Sequence, residues 1–431
     1  MMHLQGQSLD GSLNPLSGER KLTRSLLLSA LMLASVSGCG ALDFRGNGGT
    51  YSTVKVGVLH SRTGTMSLSE NTVAEAELLA IEEINRQGGI TIAGKNHRIE
   101  AIEEDGASQP QIFASKASKL LKHDKVAVVF GGWTSSSRKA MLPVFETANR
   151  FLFYPVQFEG QECSPTVLYA GSVPNQQSEP AVEWLLKHKG KRIVLIGSDY
   201  LYPRSTNQQI RQQLTGRAEI VGEHYLPLGQ QDVSAVVAAI RRSLPQGGVI
   251  VNTLNGDTNV AFFNALAAAS LTAAHGYTVM SFSVSEEEVA AIGSEPMLGT
   301  MASWSFFQSL ATPSARGFTT RFQEAYGAHR VTNDPAEAAY TMVKLWAAAV
   351  ERAQSLDTDR VRQALIGLSL EAPQGTVTVN PNLHLSKHAL IGEVQANGQF
   401  RIVHDGGRIP PLPWGSAAKQ QPCDWRQPRK R

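Results

Sequence analysis

The chain has 431 residues, of which 42% are hydrophobic, 18% charged and 7% aromatic. That length suits two or three domains with full cores, while ordinary apolar content and only three cysteines exclude disorder, collagen and a disulfide scaffold. The formal net charge of +3 sits mostly in Lys419–Arg431; the rest is near neutral and offers no basic face for nucleic-acid phosphates.

At the start, Arg20, Lys21 and Arg24 precede an apolar run from Ser25 to Val36, which ends in Val36-Ser37-Gly38-Cys39. A basic region, a short apolar stretch and small residues before a cut describe an export signal, too short to span a bilayer. Val-Ser-Gly-Cys also resembles a bacterial lipobox, in which the cysteine is acylated and becomes the mature N-terminus. Plain cleavage with Cys39 incidental is the bland alternative. The expected layout is a signal over 1–38 and a Gly/Ser/Thr tether over 39–52. The product is periplasmic, held to a membrane by acyl chains on Cys39.

Strand and helix patterns then alternate. Val54–Leu59 predicts a strand, and Thr72-x-x-Glu75 has capping-box spacing for a helix over Thr72–Gln87, with Val73, Ala76, Ala80 and Ile84 as its apolar stripe. Short apolar runs follow at Val126–Phe130, Phe151–Phe153, Ile193–Gly197, Val249–Thr253, Thr278–Phe282 and Met301–Ser305, with helical patterns between most of them. Strands alternating with helices of this length predict βαβ units and parallel sheets, too many for one sheet, hence two α/β lobes.

In open parallel sheets, ligands sit beyond the carboxyl ends of the strands. Five predicted strand ends carry aromatics, hydroxyls, amides and a few carboxylates, including Trp133, Ser135, Tyr154, Gln157, Tyr200, Tyr202, Asp257, Ser283 and Glu286. That mixture suits a small polar ligand. Enzyme chemistry finds little support. No G-x-S-x-G elbow is present, histidines lie away from these loops, Cys163 has no histidine nearby in sequence, and Gly131-Gly132 is not a P-loop. No cofactor is expected. His384 and His388 have i,i+4 spacing, but a solvated face is the expected reading rather than a metal site. Cys163 and Cys423 pair or stay free; sequence leaves both open. The tail Pro410–Arg431 reads as a solvated extension or as a contact for anionic headgroups.

Longer runs carry a resemblance: Gly131–Glu146 (GGWTSSSRKAMLPVFE), Leu152–Gly160 (LFYPVQFEG), Pro174–Gln177 (PNQQ), Gly197–Arg204 (GSDYLYPR), Asn252–Phe263 (NTLNGDTNVAFF), Asp334–Tyr340 (DPAEAAY) and Ala372–Val379 (APQGTVTV). On these runs, from about Val54 to Val403, the chain resembles periplasmic solute-binding proteins of the branched-chain-amino-acid type. Within that type it is similar to the urea- or short-amide-binding components of urea ABC transporters. Gly132, Phe158 and Ser303-Trp304-Ser305-Phe306 depart from the usual residues. The resemblance implies a type I periplasmic binding fold, two Rossmann-like lobes of parallel sheet flanked by helices and joined by a three-crossover hinge. The implied crossovers lie near Ser172, Ser303 and Ser369, giving lobe I as 53–172 and 304–369, lobe II as 173–303 and 370–408, and a tail over 409–431. It further implies a non-enzymatic receptor for urea or a short amide, with ABC permease subunits as partners. An amide or amino-acid sensor acting on a regulatory protein, and a branched-chain amino acid receptor, remain the alternatives. On that layout Trp133, Ser135, Tyr154 and Gln157 face Tyr200, Tyr202, Asp257, Ser283 and Glu286 across a cleft.

Overall fold

The structure is a computed structural model and describes residues 52–426. The expected signal and lipidated Cys39 lie outside the described residues. Six strands form the first sheet: β1 (Ser52–His60), β2 (Ile90–Ile92), β3 (Lys95–Asp105), β4 (Val128–Gly131), β5 (Phe151–Tyr154) and β6 (Val167–Tyr169), in the order β2-β3-β1-β4-β5-β6. All neighbours run parallel except the β2–β3 hairpin. The second sheet contains β7 (Arg192–Ser198), β8 (Glu219–Leu226), β9 (Gly248–Thr253), β10 (Tyr277–Ser281), β11 (Met301–Trp304), β12 (Ser369–Ala372), β13 (Gly375–Val379), β14 (Leu385–Val394) and β15 (Phe400–Ile409). Its order is β12-β13-β14-β11-β10-β9-β7-β8, with β15 on β14. The strands from β7 to β11 are parallel and the rest join antiparallel.

Helices cover both faces of each parallel region, so the inner strands are apolar throughout rather than alternating. β4, β5 and β6 are buried at every residue. The first helix runs Ser67–Arg86, starting five residues before the expected Thr72. The Thr72-x-x-Glu75 spacing is not a cap here. Thr72 Oγ1 donates to Glu287 at 2.8 Å and Glu75 pairs with Arg330, so both side chains face neighbours instead of the helix end. This helix packs on the equally long helix Asp334–Ala353.

Two lobes follow from the cores. The first sheet shares its core with helices from Ala315 to Leu365 and with Ala372, Val377, Val379, Leu383 and Leu385. The second lobe is built on β7–β11, Leu390–Val394 and Phe400. The chain therefore passes between lobes after Val173, again around Trp304–Phe306, and a third time within β14, beyond Ser369.

These passages lie side by side and are bonded together. Ser172 Oγ and Ser305 Oγ are 3.0 Å apart, Gln177 Nε2 donates to Ser303 O at 2.8 Å, and Gln176 Nε2 donates to both Leu385 O and Ile409 O at 2.9 Å. The PNQQ run thus ties all three passages. Beneath them the fully buried Lys387 Nζ donates to Ala170 O at 3.0 Å and faces the buried Asp334 carboxylate at 3.6 Å. Asp334 in turn accepts from Ser305 N at 2.8 Å.

The tail is solvated only in part: most of 416–426 is exposed, but its first half is packed down. Pro411, Pro413 and Gly415 are buried, because the chain turns back over the passages instead of leaving the surface. Asn175 bonds Pro410 O and Leu412 N, Gln161 N donates to Pro413 O at 2.8 Å, and Ser416 N donates to Glu179. Gly160, at φ +71°, permits this approach, since a Cβ there would lie 1.9 Å from Pro413 O. A disulfide joins Cys163 to Cys423, with Cα atoms 6.3 Å apart, and Trp425 N donates to Pro381 O.

Breaking a buried ion pair from one side costs about 3–5 kcal/mol, because the remaining charge stays buried alone. Lys387→Met is therefore expected to lower the guanidinium unfolding free energy by about that much; an unchanged value would show that the pair contributes nothing to the hinge.

Candidate functional site

The carboxyl ends of the parallel strands in the two lobes face one another, and the site is built from the loops that leave them. After β4, Gly131 takes φ +135° because a Cβ would lie 2.0 Å from Leu59 O. That turn brings Trp133 to the strand end. Thr134 then caps the helix Ser135–Ala148, accepting from Ser137 N at 3.1 Å. The Trp133 ring is buried and its Nε1 donates across the cleft to Asn255 Oδ1 at 3.1 Å. Tyr154, at the end of β5, donates its hydroxyl to Trp133 O. Burial pushes that phenol above its usual range.

Gln157 makes the most direct link between lobes. Its Nε2 donates to Phe282 O at 2.9 Å and to Ser283 Oγ at 2.8 Å, while its Oε1 is buried with no donor. Tyr202 is buried beside it, with its hydroxyl 3.5 Å from Phe282 O. Tyr200, partly exposed, has its ring 6.4 Å from that of Tyr202. Burial raises the hydroxyls of both.

Behind Ser135 lies a buried ionic cluster. The hydroxyl donates to Glu159 Oε2 and accepts from Arg138 Nη1 at 3.1 Å. Arg138, fully buried, also donates to Glu159 Oε1 at 2.8 Å and to Glu162 Oε1 at 3.0 Å, and lies over the Tyr154 and Phe158 rings. Burial alone would raise the Glu162 carboxyl; Arg138, then Lys139, outweigh it and hold it down at about 2. Phe158, one of the departures from the usual residues, stacks on Tyr169, which stacks on His384 at 4.3 Å. His384 is thus buried beside β14 rather than on a solvated face, and burial holds its imidazole neutral, with a value lowered to about 3. The i,i+4 spacing misled because no helix carries it; His388 lies on the extended strand.

Trp133, Tyr154, Gln157, Tyr202 and Ser283 are brought together, with Ser135 joined to Tyr154 through Arg138. Two carboxylates are engaged elsewhere. Asp257 accepts from Thr65 Oγ1 at the rim. Glu286 accepts from Gln308 N at 2.7 Å, and burial, then its acidic neighbours Asp334 and Glu288, push it up to about 8. Sequence reasoning missed Asn255, Glu159 and Arg138, although each lies in a run already singled out. It also missed the rim pairs that close the cleft, Ser69 Oγ to Glu288 at 2.6 Å and Thr72 to Glu287.

Supporting the Thr65 loop, His60 is fully buried between Glu70 (3.1 Å) and Glu77 (2.9 Å), and Glu70 also accepts from Ser61 N. Burial alone would lower His60; Glu77 and Glu70 outweigh it and lift it to about 9. Among the described residues, no group of three or more His, Cys, Asp or Glu is placed to hold a metal ion, and no helix is long and apolar enough to cross a membrane.

A family described as "Periplasmic binding protein domain" matches residues 54–420. The Leu/Ile/Val-binding protein BraC3 of Rhizobium johnstonii is 24% identical over 336 residues, 73% of this chain and 84% of that protein. A limonene hydroxylase of Geobacillus stearothermophilus is 30% identical over 112 residues, 26% of this chain; the chain spans only 21% of that protein's length. Among solved structures, an ABC-transporter solute binding protein from Rhodopseudomonas palustris, in complex with p-hydroxybenzoic acid, superposes with a TM-score of 0.75. It is 21% identical and covers 85% of this chain and 100% of that one. The leucine binding protein LivK of Thermotoga maritima gives 0.70 at 18% identity, over 82% and 98%. At these identities the structures share the fold.

The raised groups fix the direction of pH dependence. A value raised on folding adds stability that is full below the unfolded value and lost as pH climbs through the folded one. For Glu286 and Glu287 that loss runs from 4.5 to about 8 and about 7; for His60 it runs from 6.5 to about 9. Glu162 acts oppositely, its contribution being lost as pH falls from 4.5 towards about 2. Thermal midpoints should peak at about pH 5 and fall towards pH 9. His60→Gln should flatten the fall between 6.5 and 9; an unaltered slope in that variant would exclude His60 as its source.

Proposed function

The chain belongs to the periplasmic binding protein domain family, and we propose that it is an extracytoplasmic receptor for urea or a short-chain amide. It closes its two lobes on the ligand and delivers it to an ABC-type permease, tethered to the membrane through Cys39. The observation that carries the reading is Gln157. Its amide nitrogen bridges to the other lobe, while its carbonyl is buried without a donor, among Trp133, Tyr154, Tyr202 and Ser283. A buried acceptor without a donor costs about 1–3 kcal/mol, and an amide N–H removes that cost.

Urea has four N–H donors and one carbonyl on a flat, uncharged frame. The first-turn N–H groups of the helix opening at Ser135 suit the carbonyl. Aromatic rings cover the flat faces and occupy the space that a branched side chain needs. Of the two carboxylates suited to an ammonium group, Asp257 is bonded to Thr65, and Glu286 accepts from Gln308 N through Oε1 while its Oε2 is buried without a partner.

Calorimetric titration with urea, acetamide and leucine tests the reading. With four heavy atoms, urea is expected to bind no tighter than about −6 kcal/mol, or tens of micromolar. Gln157→Leu is expected to weaken urea by about 1–3 kcal/mol. Trp133→Ala should weaken urea and favour longer amides. Leucine binding without urea binding would replace this reading with a branched-chain amino acid receptor, the specificity in BraC3's name. The anchor is tested separately, since Cys39→Ala is expected to abolish palmitate labelling, and persistent labelling would refute it.

A further inference from the structure

Resting on the receptor reading, we infer that Arg138 and Glu159 are positioning residues that make the wall around Ser135 acceptor-only, so that the site takes N–H-rich uncharged ligands and refuses carboxylates. Each nitrogen of the Arg138 guanidinium is engaged, through three of its five N–H groups. Nε donates to Glu162, Nη1 to Ser135 Oγ and Nη2 to Glu159, and the two ring faces below it are those of Tyr154 and Phe158. The cation is buried completely, and its charge is committed to Glu159 and Glu162 behind Ser135 rather than presented at the surface of the site. Ser135 has given its one proton to Glu159. What remains on this wall are lone pairs, on Ser135 Oγ and on the Glu159 carboxylate, with the unpartnered Gln157 Oε1 beyond them.

An incoming N–H finds acceptors in each of these. An incoming carboxylate finds the Ser135 proton already held by Glu159 and stands beside that residue's carboxylate. The helix N-terminus at Ser135 favours partial negative charge, as on an amide carbonyl, but a full anion there meets Glu159 as well. The buried ions balance only with help from outside. Arg138 faces Glu159 and Glu162, and the fourth member, Lys139, reaches Glu162 at 2.5 Å from the partly exposed side. The four ions cancel in sum, so what disfavours a ligand carboxylate is the Glu159 carboxylate placed directly behind Ser135, with Lys139 on the far side of Glu162. Gln209, from the second lobe, donates to Glu159 O at 2.8 Å, so closure also fixes the residue that does the excluding.

Acetamide and acetate differ in charge and hardly in shape, so they separate a charge filter from a size filter. Wild type is expected to bind acetamide and not acetate. Glu159→Gln removes the repelling charge, leaves Arg138 paired to Glu162 alone, and should raise acetate affinity relative to acetamide by about tenfold or more. Arg138→Lys, which keeps the charge but loses the fork, should weaken acetamide while leaving acetate excluded; this second variant covers the case in which Glu159→Gln fails to fold. An unaltered acetamide-to-acetate ratio in folded Glu159→Gln, checked by its circular dichroism and thermal midpoint, would overturn the inference with the receptor reading intact. Wild type that binds acetate as well as acetamide would overturn it too. Wild type that takes leucine or 4-hydroxybenzoate in place of any amide would overturn the receptor reading and the inference together.

Discussion

The structure turns on a lysine ammonium that is wholly out of water. Lys387 lies where the three interlobe passages converge, pointing at Ala170 O and the Asp334 carboxylate. A buried charge is tolerable only with partners of fixed geometry, and here the lysine and its two partners come from three distant parts of the sequence. Asp334 opens the long helix of the first lobe and holds Ser305 N of the second passage; Ala170 precedes the first passage; Lys387 itself is on the third. Gln176 and Gln177 add neutral bonds to the same bundle. The passages therefore cannot separate from one another without stranding this charge, and lobe motion is confined to bending about them.

The cleft repeats this logic with more groups. Around Arg138 and His60, opposite charges are buried within 3.1 Å of one another, each cation between two carboxylates. Such clusters add little net stability and much geometric definition. His60 braces the loop that carries Thr65 to Asp257, and Arg138 braces Ser135. Rigid walls on both sides leave the direct interlobe bonds, chiefly those of Gln157, as the contacts that are made and broken in closure.

Much of this was legible because parallel strands end at one edge. Strands at Val126–Phe130 and Phe151–Phe153 put Trp133, Tyr154 and Gln157 at one sheet edge, and the two-lobed layout implied by the resemblance set Ser283, after Thr278–Phe282, opposite them. What sequence did not reveal is which polar groups are already engaged. Asp257 and Glu286 have the same chemistry as Glu159, and only packing shows that the first is held by Thr65 and the second by a backbone N–H. Asn255, not Asp257, meets Trp133, and two positions in a loop are beyond what strand periodicity resolves. The first helix began early because Ser67 and Met66 carry no strong cap, whereas Thr72 and Glu75 imitate one while bonding outward. The His384–His388 spacing was read on a helix that the strand pattern of Leu385–Val394 does not form. A disulfide across 260 residues leaves no local trace at all.

The tail gives the hinge a stop. It leaves the second lobe at Ile409, is gripped at Asn175, and ends bonded to the first lobe at Cys163 and Pro381. Between Pro410 and Cys423 it is a leash of fixed contour length, about 45 Å when fully drawn out. With the disulfide formed, that contour length is an upper bound on how far Ile409 and Cys163 can separate, a bound that reduction removes.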